Sequence, residues 1–408
     1  MAVNQVVILG GFQTDFARNF GREQKDIGTL LHETALGALH AATLSPNAIE
    51  SIHVGNAFGE LFNGQGHLGA MLASVDARFA GIAAMRHEAA CASGSMAILS
   101  AMAEIEAGRY DCVLVLGAEQ ERHVSGEQAA AYMASASRVG HEGEGCKYLW
   151  PAMFSQVADE YQRRYGLQYE HLGAIAANNI SNAKRNPNAQ TRNWQFQAES
   201  FRQHDELNPV VEGWTRRQDC GQLTDGGAAV ILASSRFAHV WATQRGQSLA
   251  RLPRILGWGH RTASLALQAK LTEGDGLLFP HLRRAILDAF QRAGVQDVSQ
   301  LQAIETHDCF SMTQYMAIDH FGITPPGQSW RAIESGELAF DGKLPINPSG
   351  GLIGGGHPVG ATGVRMLWDA AKQVAGTAGD YQVPGAKRVA TLNLGGSAAT
   401  VASFVVGV

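Results

Sequence analysis

Two thiols and two imidazoles stand in short motifs too small-sided, too glycine-rich or too polar for plain core. Cys91 sits in "EAACASGSMAILSAM", directly ahead of an apolar stretch that reads as a helix. His357 sits in "GGGHPVGATG", where Pro358 suits a first helical turn because it has no N–H to lose. The positive pole of a helix at each place favours thiolate at Cys91 and disfavours imidazolium at His357. A thiol and a neutral imidazole so arranged form an activated nucleophile and its base. His307 and Cys309 sit in "ETHDCF", at the end of an apolar run that reads as a strand. Strand ends facing helix N-termini are where α/β folds gather reactive groups, and residues two apart share a face if the strand continues. Each residue also has a plain structural reading: Cys91 and Cys309 as small core residues, His357 as a turn residue, His307 as a cap. No metal is expected, because the five cysteines, at 91, 112, 146, 220 and 309, form no CxxC pair and no zinc spacing.

What brings Cys91 and His357 together is a pattern that runs twice along the chain. The first pass has "VVILGG" as a strand, a helical stretch from about Ile27 to Thr43, "IESIHVGNA", helical segments ending with the one at Cys91, "DCVLVLGAE" and, much later, "GGAAVILAS". The second has "RILGWGH", the helix "HLRRAILDAFQRAG", "LQAIETHDC", the helix "SMTQYMAIDHFG", a further helix after His357, then "RVATLNLGG" and "AATVASFVVG". Both read βαβαβαββ, so the fold class is α/β, a duplication whose sheets are covered by helices on both faces. We divide the chain into residues 1–119 (first half), 120–223 (an inserted loop region), 224–249 (completion of the first half) and 250–408 (second half). The insertion holds the helical "YLWPAMFSQVADEYQRRYG" and the loop-like "NAKRNPNAQTRNW", and is the expected place for substrate contacts.

Composition bounds the rest. The 408 residues are 45% hydrophobic and 17% charged, with a formal charge of -5 and no block of like charges, which argues against nucleic acid as a partner. The start, "MAVNQVVILGG", has no basic n-region and reads as a strand, and the apolar C-terminal stretch is broken by Asn393, Gly395 and Gly396, so neither a signal peptide nor a membrane span is expected. An odd number of cysteines without a secretion signal points to reduced thiols in a cytoplasm. "GGFQTD" after the first strand is not GxGxxG, so no dinucleotide site is expected.

"CASG" at 91–94, "HDCF" at 307–310, "NPSGG" at 347–351, "GHPVGATG" at 356–363 and "LTDGGAAVIL" resemble thiolase motifs across nearly the whole chain. "HDCF" and "NPNAQ" resemble the branch related to sterol-carrier-protein-2 thiolases. The resemblance implies the layered αβαβα thiolase fold with an inserted loop domain. It also implies acyl exchange between coenzyme A thioesters: thiolytic cleavage of a 3-ketoacyl-CoA, or the reverse Claisen condensation with acetyl-CoA. Cys91 would carry the acyl group and His357 would activate it. Most thiolases use a C-terminal Cys-x-Gly cysteine as the second acid/base, but here the run is "NLGG", and Asn393 cannot exchange a proton near neutral pH. The HDCF resemblance implies that Cys309 takes over that role. It also implies an oxyanion hole from the backbone N–H groups of Cys91 and Gly395, one such donor being worth about 3 kcal/mol of barrier. His307 is placed to polarise the enolate oxygen. Phe310 and Met153 are expected to wall the acyl pocket, and the small residues around Cys91 to leave room for the pantetheine arm.

Acyl-CoA and CoA are then substrates, with no tightly bound cofactor. A homodimer or homotetramer is implied. The residues that hold the nucleotide of CoA are expected in the insertion, where Lys184 and Arg185 also read as ordinary solvated surface. Three rivals stand beside this reading. A ketosynthase-like condensing enzyme is disfavoured by "GHPVGATG". An acyltransferase to a non-CoA acceptor, working with a small accessory subunit, is kept alive by Asn393. A non-catalytic acyl-CoA-binding subunit predicts a Cys91 that resists acylation.

Overall fold

The computed structural model describes residues 5–271 and 276–408; the first four residues of the opening "MAVNQVVILGG" lie outside them. Strands form where short β-rich runs are apolar on both faces, as parallel and mixed sheets buried between helices require. They are β1 (Val6–Gln13), β2 (Ser51–Gly55), β3 (Ala83–His87), β4 (Cys112–Glu119), the small hairpin β5 (Val210–Glu212) and β6 (Thr215–Arg216), then β7 (Gly226–Ser234), β8 (Arg254–Thr262), β9 (Ala303–Thr306), β10 (Arg388–Gly395) and β11 (Thr400–Gly407).

Nine strands join in one mixed sheet in the order β3-β2-β4-β7-β1-β8-β11-β10-β9. The two halves meet where β1 and β8 pair only at Val6–Ile255 and Val7–Arg254. From that junction outward the strand orders match: β1-β7-β4-β2-β3 on one side, β8-β11-β10-β9 on the other. The counterpart of β3 in the second half has shrunk to one parallel bridge between Ile346 and Ile304. The strict βαβαβαββ repeat is therefore complete in the first half and reduced by one strand in the second. β3 itself is an edge strand with Ala83, Ala84 and Met85 exposed.

Among the described residues the three largest apolar cores fill the layers. Helix Ile27–Ala41, started by Asp26 accepting from the Thr29 N–H, covers one face of the first half through Leu30, Leu31 and Leu39. Helices Ser93–Glu106 and Thr362–Ala375 form the middle layer, with Ile98, Met102, Val364 and Leu367 between the two halves. Helices Pro280–Ala293 and Ser311–Phe321 cover the outer face of the second half, and insertion residues Val157, Tyr161 and Leu172 share their core. The insertion occupies the connection from β4 to β7; in the second half the matching connection, β10 to β11, is a tight turn with Gly395 paired to Thr400. Among the described residues no helix is long and apolar enough to cross a membrane.

Candidate active site

Cys91 stands two residues ahead of helix Ser93–Glu106, on a tight turn in which Ala90 takes φ +50°. A left-handed alanine costs on the order of 1 kcal/mol, and here the Ser93 hydroxyl holds it. Ser93 Oγ accepts from the Ala89 N–H (2.9 Å) and donates to the Ala90 carbonyl (2.6 Å). Of the small residues around Cys91, Ala89 and Ala90 line the open space beside it, and those that follow pack against the second half. A Cβ on Gly94 would lie 2.8 Å from the Gly360 carbonyl, and one on Gly363 2.5 Å from the Ser95 nitrogen. The two central helix starts therefore touch backbone to backbone, and that contact carries His357 to Cys91. Helix Thr362–Ala375 begins five residues beyond His357, after a short 3₁₀ turn, later than Pro358 suggested.

One ligating atom each of Cys91, His307 and His357 lie within 4.8 Å of one another. The rings of His307 and His357 stand edge-to-face, 5.3 Å between centroids. Thr362 Oγ1 donates to the Pro358 carbonyl (3.1 Å) and so accepts from His357 Nδ1 (2.7 Å), which leaves a lone pair on His357 Nε2. The His357 backbone N–H donates to Thr224 Oγ1 (2.9 Å), and Thr224 donates to Gln190 of "NPNAQ" (2.8 Å). Burial and then the Arg365 charge hold His357 down to about 3, so the ring is neutral. Burial, then His357 and Arg365, hold His307 well below the ordinary histidine range.

Burial pushes the Cys91 thiol up to about 12, with the neighbouring Glu121 carboxylate adding to it. This runs against the helix-dipole expectation: with the helix starting two residues later, desolvation is the largest influence on the thiol. The resting pair is thiol plus neutral imidazole.

The cavity at Cys91 is lined by Phe58, Glu121, Trp150, Phe154, Cys309, Phe310 and His357, among others. Cys309 stands in its wall although β9 ends at Thr306. Burial, then Cys91 and Asp308, raise the Cys309 thiol well above its usual range. The turn that replaces the strand is braced by Asp308, which accepts from the N–H groups of Leu352 (2.6 Å) and Ile353 (3.1 Å), directly after "NPSGG", and from Asn179 (2.7 Å). Phe310 lines the cavity as expected and stacks on Phe154 at 4.8 Å. Met153 does not; it is buried in core, while Trp150 and Phe154, four apart on the same helix, face the cavity. Gly395 is the last residue of β10, paired with Thr400, and the residue after it, Gly396, lines the cavity. Lys184 and Arg185 line a separate surface cleft with Arg18, Arg192 and Lys372.

Sequence reading missed Glu121. Its carboxylate accepts from the N–H groups of Val359 (3.1 Å) and Thr224 (3.4 Å) and so clamps both flanks of His357 from inside the cavity wall. No motif marks it; only its place after β4, shared with buried Glu119, hinted at a special carboxylate.

Comparison with known proteins accords with this geometry. The description "Thiolase, N-terminal domain" matches residues 6–236, and "Thiolase C-terminal domain-like" matches residues 264–408. The chain belongs to the thiolase family. It is a thiolase-type acyltransferase by family, and 30% identical over 403 residues, 99% of both chains, to an acetyl-CoA acetyltransferase of Methanothermobacter thermautotrophicus. It is also 30% identical to bovine sterol carrier protein 2, over 99% of this chain and 73% of that one. Among solved folds, an Ltp2-ChsH2(DUF35) aldolase superposes with a TM-score of 0.77 at 20% identity, over 100% of this chain and 98% of that one. A Bacillus anthracis acetyl-CoA acetyltransferase gives 0.70 at 15%, over 100% and 99%.

Proposed function

We propose that this thiolase cleaves or forms 3-ketoacyl-CoA through an acyl group carried on Cys91. The supporting observation is the convergence of Cys91, His307 and His357 atoms within 4.8 Å beside a cavity that also exposes Cys309. In the cleavage direction Cys91 sulfur attacks the 3-keto carbon while its proton passes to His357 Nε2. The bond between C2 and C3 breaks, and its electron pair leaves as the enolate of acetyl-CoA. The Cys309 S–H protonates that enolate at carbon, and acetyl-CoA departs. Free CoA then gives its thiol proton to the Cys309 thiolate and attacks the thioester on Cys91, and a new acyl-CoA leaves with the Cys91 sulfur reprotonated by His357. The Cys91 and Gly396 N–H groups serve the oxyanion on the Cys91-bound carbon, and His307 serves the enolate oxygen. A thiol held well above its usual range suits Cys309, because it narrows the gap to the weakly acidic α-carbon. The aromatic wall of Trp150, Phe154 and Phe310 favours an apolar acyl group.

One observation favours a second reading, in which another chain completes the site. The open cleft that shares Phe58, Ala90, Ala136 and Gly396 with the cavity is lined by Glu60 and Glu88 and by no Lys or Arg. Arg86 is already paired with Glu60 of this lining, so a CoA phosphate entering there meets no lining cation among the described residues. Purified protein given acetoacetyl-CoA and CoA decides: thiolysis unaided supports the first reading, and activity only after adding an accessory subunit supports the second.

We also propose that two copies pair through edge strand β3. Its exposed Ala83, Ala84 and Met85 form an apolar sheet edge of the kind that invites a second strand. Sedimentation velocity is expected to give a dimer or tetramer, and a Met85→Lys variant to shift it toward monomer; a monomeric parent removes the proposal.

A further inference from the structure

Asn393 stands where most thiolases carry an acid/base cysteine, and its side chain is not spare. The Ser95 hydroxyl donates to Asn393 Oδ1 at 2.7 Å. Asn393 Nδ2 donates to the Cys91 carbonyl at 3.1 Å and faces His307 Nδ1 at 3.1 Å. The Cys91 carbonyl has no proton to offer, so the amide cannot be flipped: its NH₂ end must face Cys91 and His307. Both amide hydrogens are then spent, one on the carbonyl and one on the ring. His307 Nδ1 is therefore the acceptor, and the proton of the neutral ring sits on Nε2. That Nε2 is buried and has no partner among the described residues. The ring that carries it packs edge-to-face on His357.

The two imidazoles are thus committed to opposite duties by groups behind them. Thr362 takes the Nδ1 proton of His357 and leaves it an acceptor at Nε2. Asn393 fills the Nδ1 lone pair of His307 and leaves it a donor at Nε2. We propose that Asn393 is a positioning residue that sets the tautomer of His307, and so makes it the hydrogen-bond donor to the enolate oxygen of the reaction proposed above. The same commitment keeps a metal ion off the three convergent residues. A metal at His307 Nε2 must displace the proton, and one at Nδ1 must displace the Asn393 amide. Sequence comparison alone presents Asn393 as a lost acid/base; the hydrogen bonds present it as the replacement of a thiol by a fixed double donor.

The test is ¹⁵N NMR of the histidine-labelled enzyme, with the His307 signals assigned by their loss in His307→Asn. The expected result is a pyrrole-type Nε2 and a pyridine-type Nδ1 at His307, unchanged across neutral pH. In Asn393→Asp the carboxylate cannot donate; the proton is expected to move to Nδ1, or the ring to become charged, and kcat/KM to gain an ionisation absent from the parent. In Asn393→Ala kcat is expected to fall about 10²-fold with KM held within about threefold, the cost of one misdirected oxyanion donor. A parent enzyme whose His307 protonates Nδ1 overturns the proposal, as does an Asp variant with the parent's tautomer and pH profile. The parent tautomer is read without turnover. A protein with the expected tautomer that cleaves no 3-ketoacyl-CoA therefore overturns the function proposed above and leaves the role of Asn393 in setting the tautomer standing.

Discussion

Replacing Cys91 with alanine is expected to lower thiolysis of acetoacetyl-CoA by on the order of 10⁴-fold or more, because the covalent route is lost and not merely weakened. The substitution trades one small side chain for another on a partly exposed turn, so the fold is expected to survive, and circular dichroism with an unchanged melting temperature checks that. In the parent, incubation with acetyl-CoA is expected to leave one acetyl group on the Cys91 peptide by mass spectrometry, and none in the variant. An unmodified Cys91 would return the chain to the class of acyl-CoA-binding subunits. The electrostatics add a pH signature. With the thiol pushed up to about 12, alkylation of Cys91 by iodoacetamide is expected to rise about tenfold per pH unit through the neutral range and beyond. His357, held near 3, is already a free base across that range, so acetylation itself is expected to be nearly flat from about pH 5 to 9. An alkylation plateau near neutrality would mean a resting thiolate–imidazolium pair, and would sink this account of the nucleophile.

Cys309→Ala is expected to separate the two halves of the chemistry. Acetyl exchange between acetyl-CoA and labelled CoA uses only Cys91 and His357, and should stay within a few-fold of the parent. Cleavage of the carbon–carbon bond needs a proton on the departing carbon and should fall by about 10² to 10⁴. Cys309 sits in the cavity wall between Phe310 and the Asp308 brace, and losing its sulfur leaves a void smaller than one methylene-rich side chain, so the brace should hold. Equal loss of both activities would make Cys309 a packing residue. Undiminished cleavage would hand its role to another cavity group, and Glu121 is the titratable one left.

Much of this site is readable from residue types because thioester chemistry needs few of them. Two thiols and two imidazoles stand in motifs that chemistry singles out: Cys91, Cys309, His307 and His357. The alternation of apolar strands and amphipathic helices likewise yields an α/β duplication, since periodicity is a local property. What failed was whatever depends on phase or neighbours. β3 escaped because "AAMRH" is a short edge strand with little β-rich character. Met153 was chosen where Phe154 lines the cavity, because one residue of phase decides which side chain faces inward.

The amino-acid sequence by itself determined the chemistry on offer, since the thiols at 91 and 309, the imidazoles at 307 and 357 and the asparagine at 393 are facts of residue type at motif positions. Only the tertiary structure decided how those groups behave. Whether Cys91 rests as thiol or thiolate depends on its burial and on Glu121, which approaches from another strand end. Which nitrogen of His307 carries the proton depends on Asn393, far along the chain yet 3.1 Å away in space. Dielectric surroundings and hydrogen-bond partners belong to the folded arrangement, because both fall off within a few ångströms that no distance along the chain records.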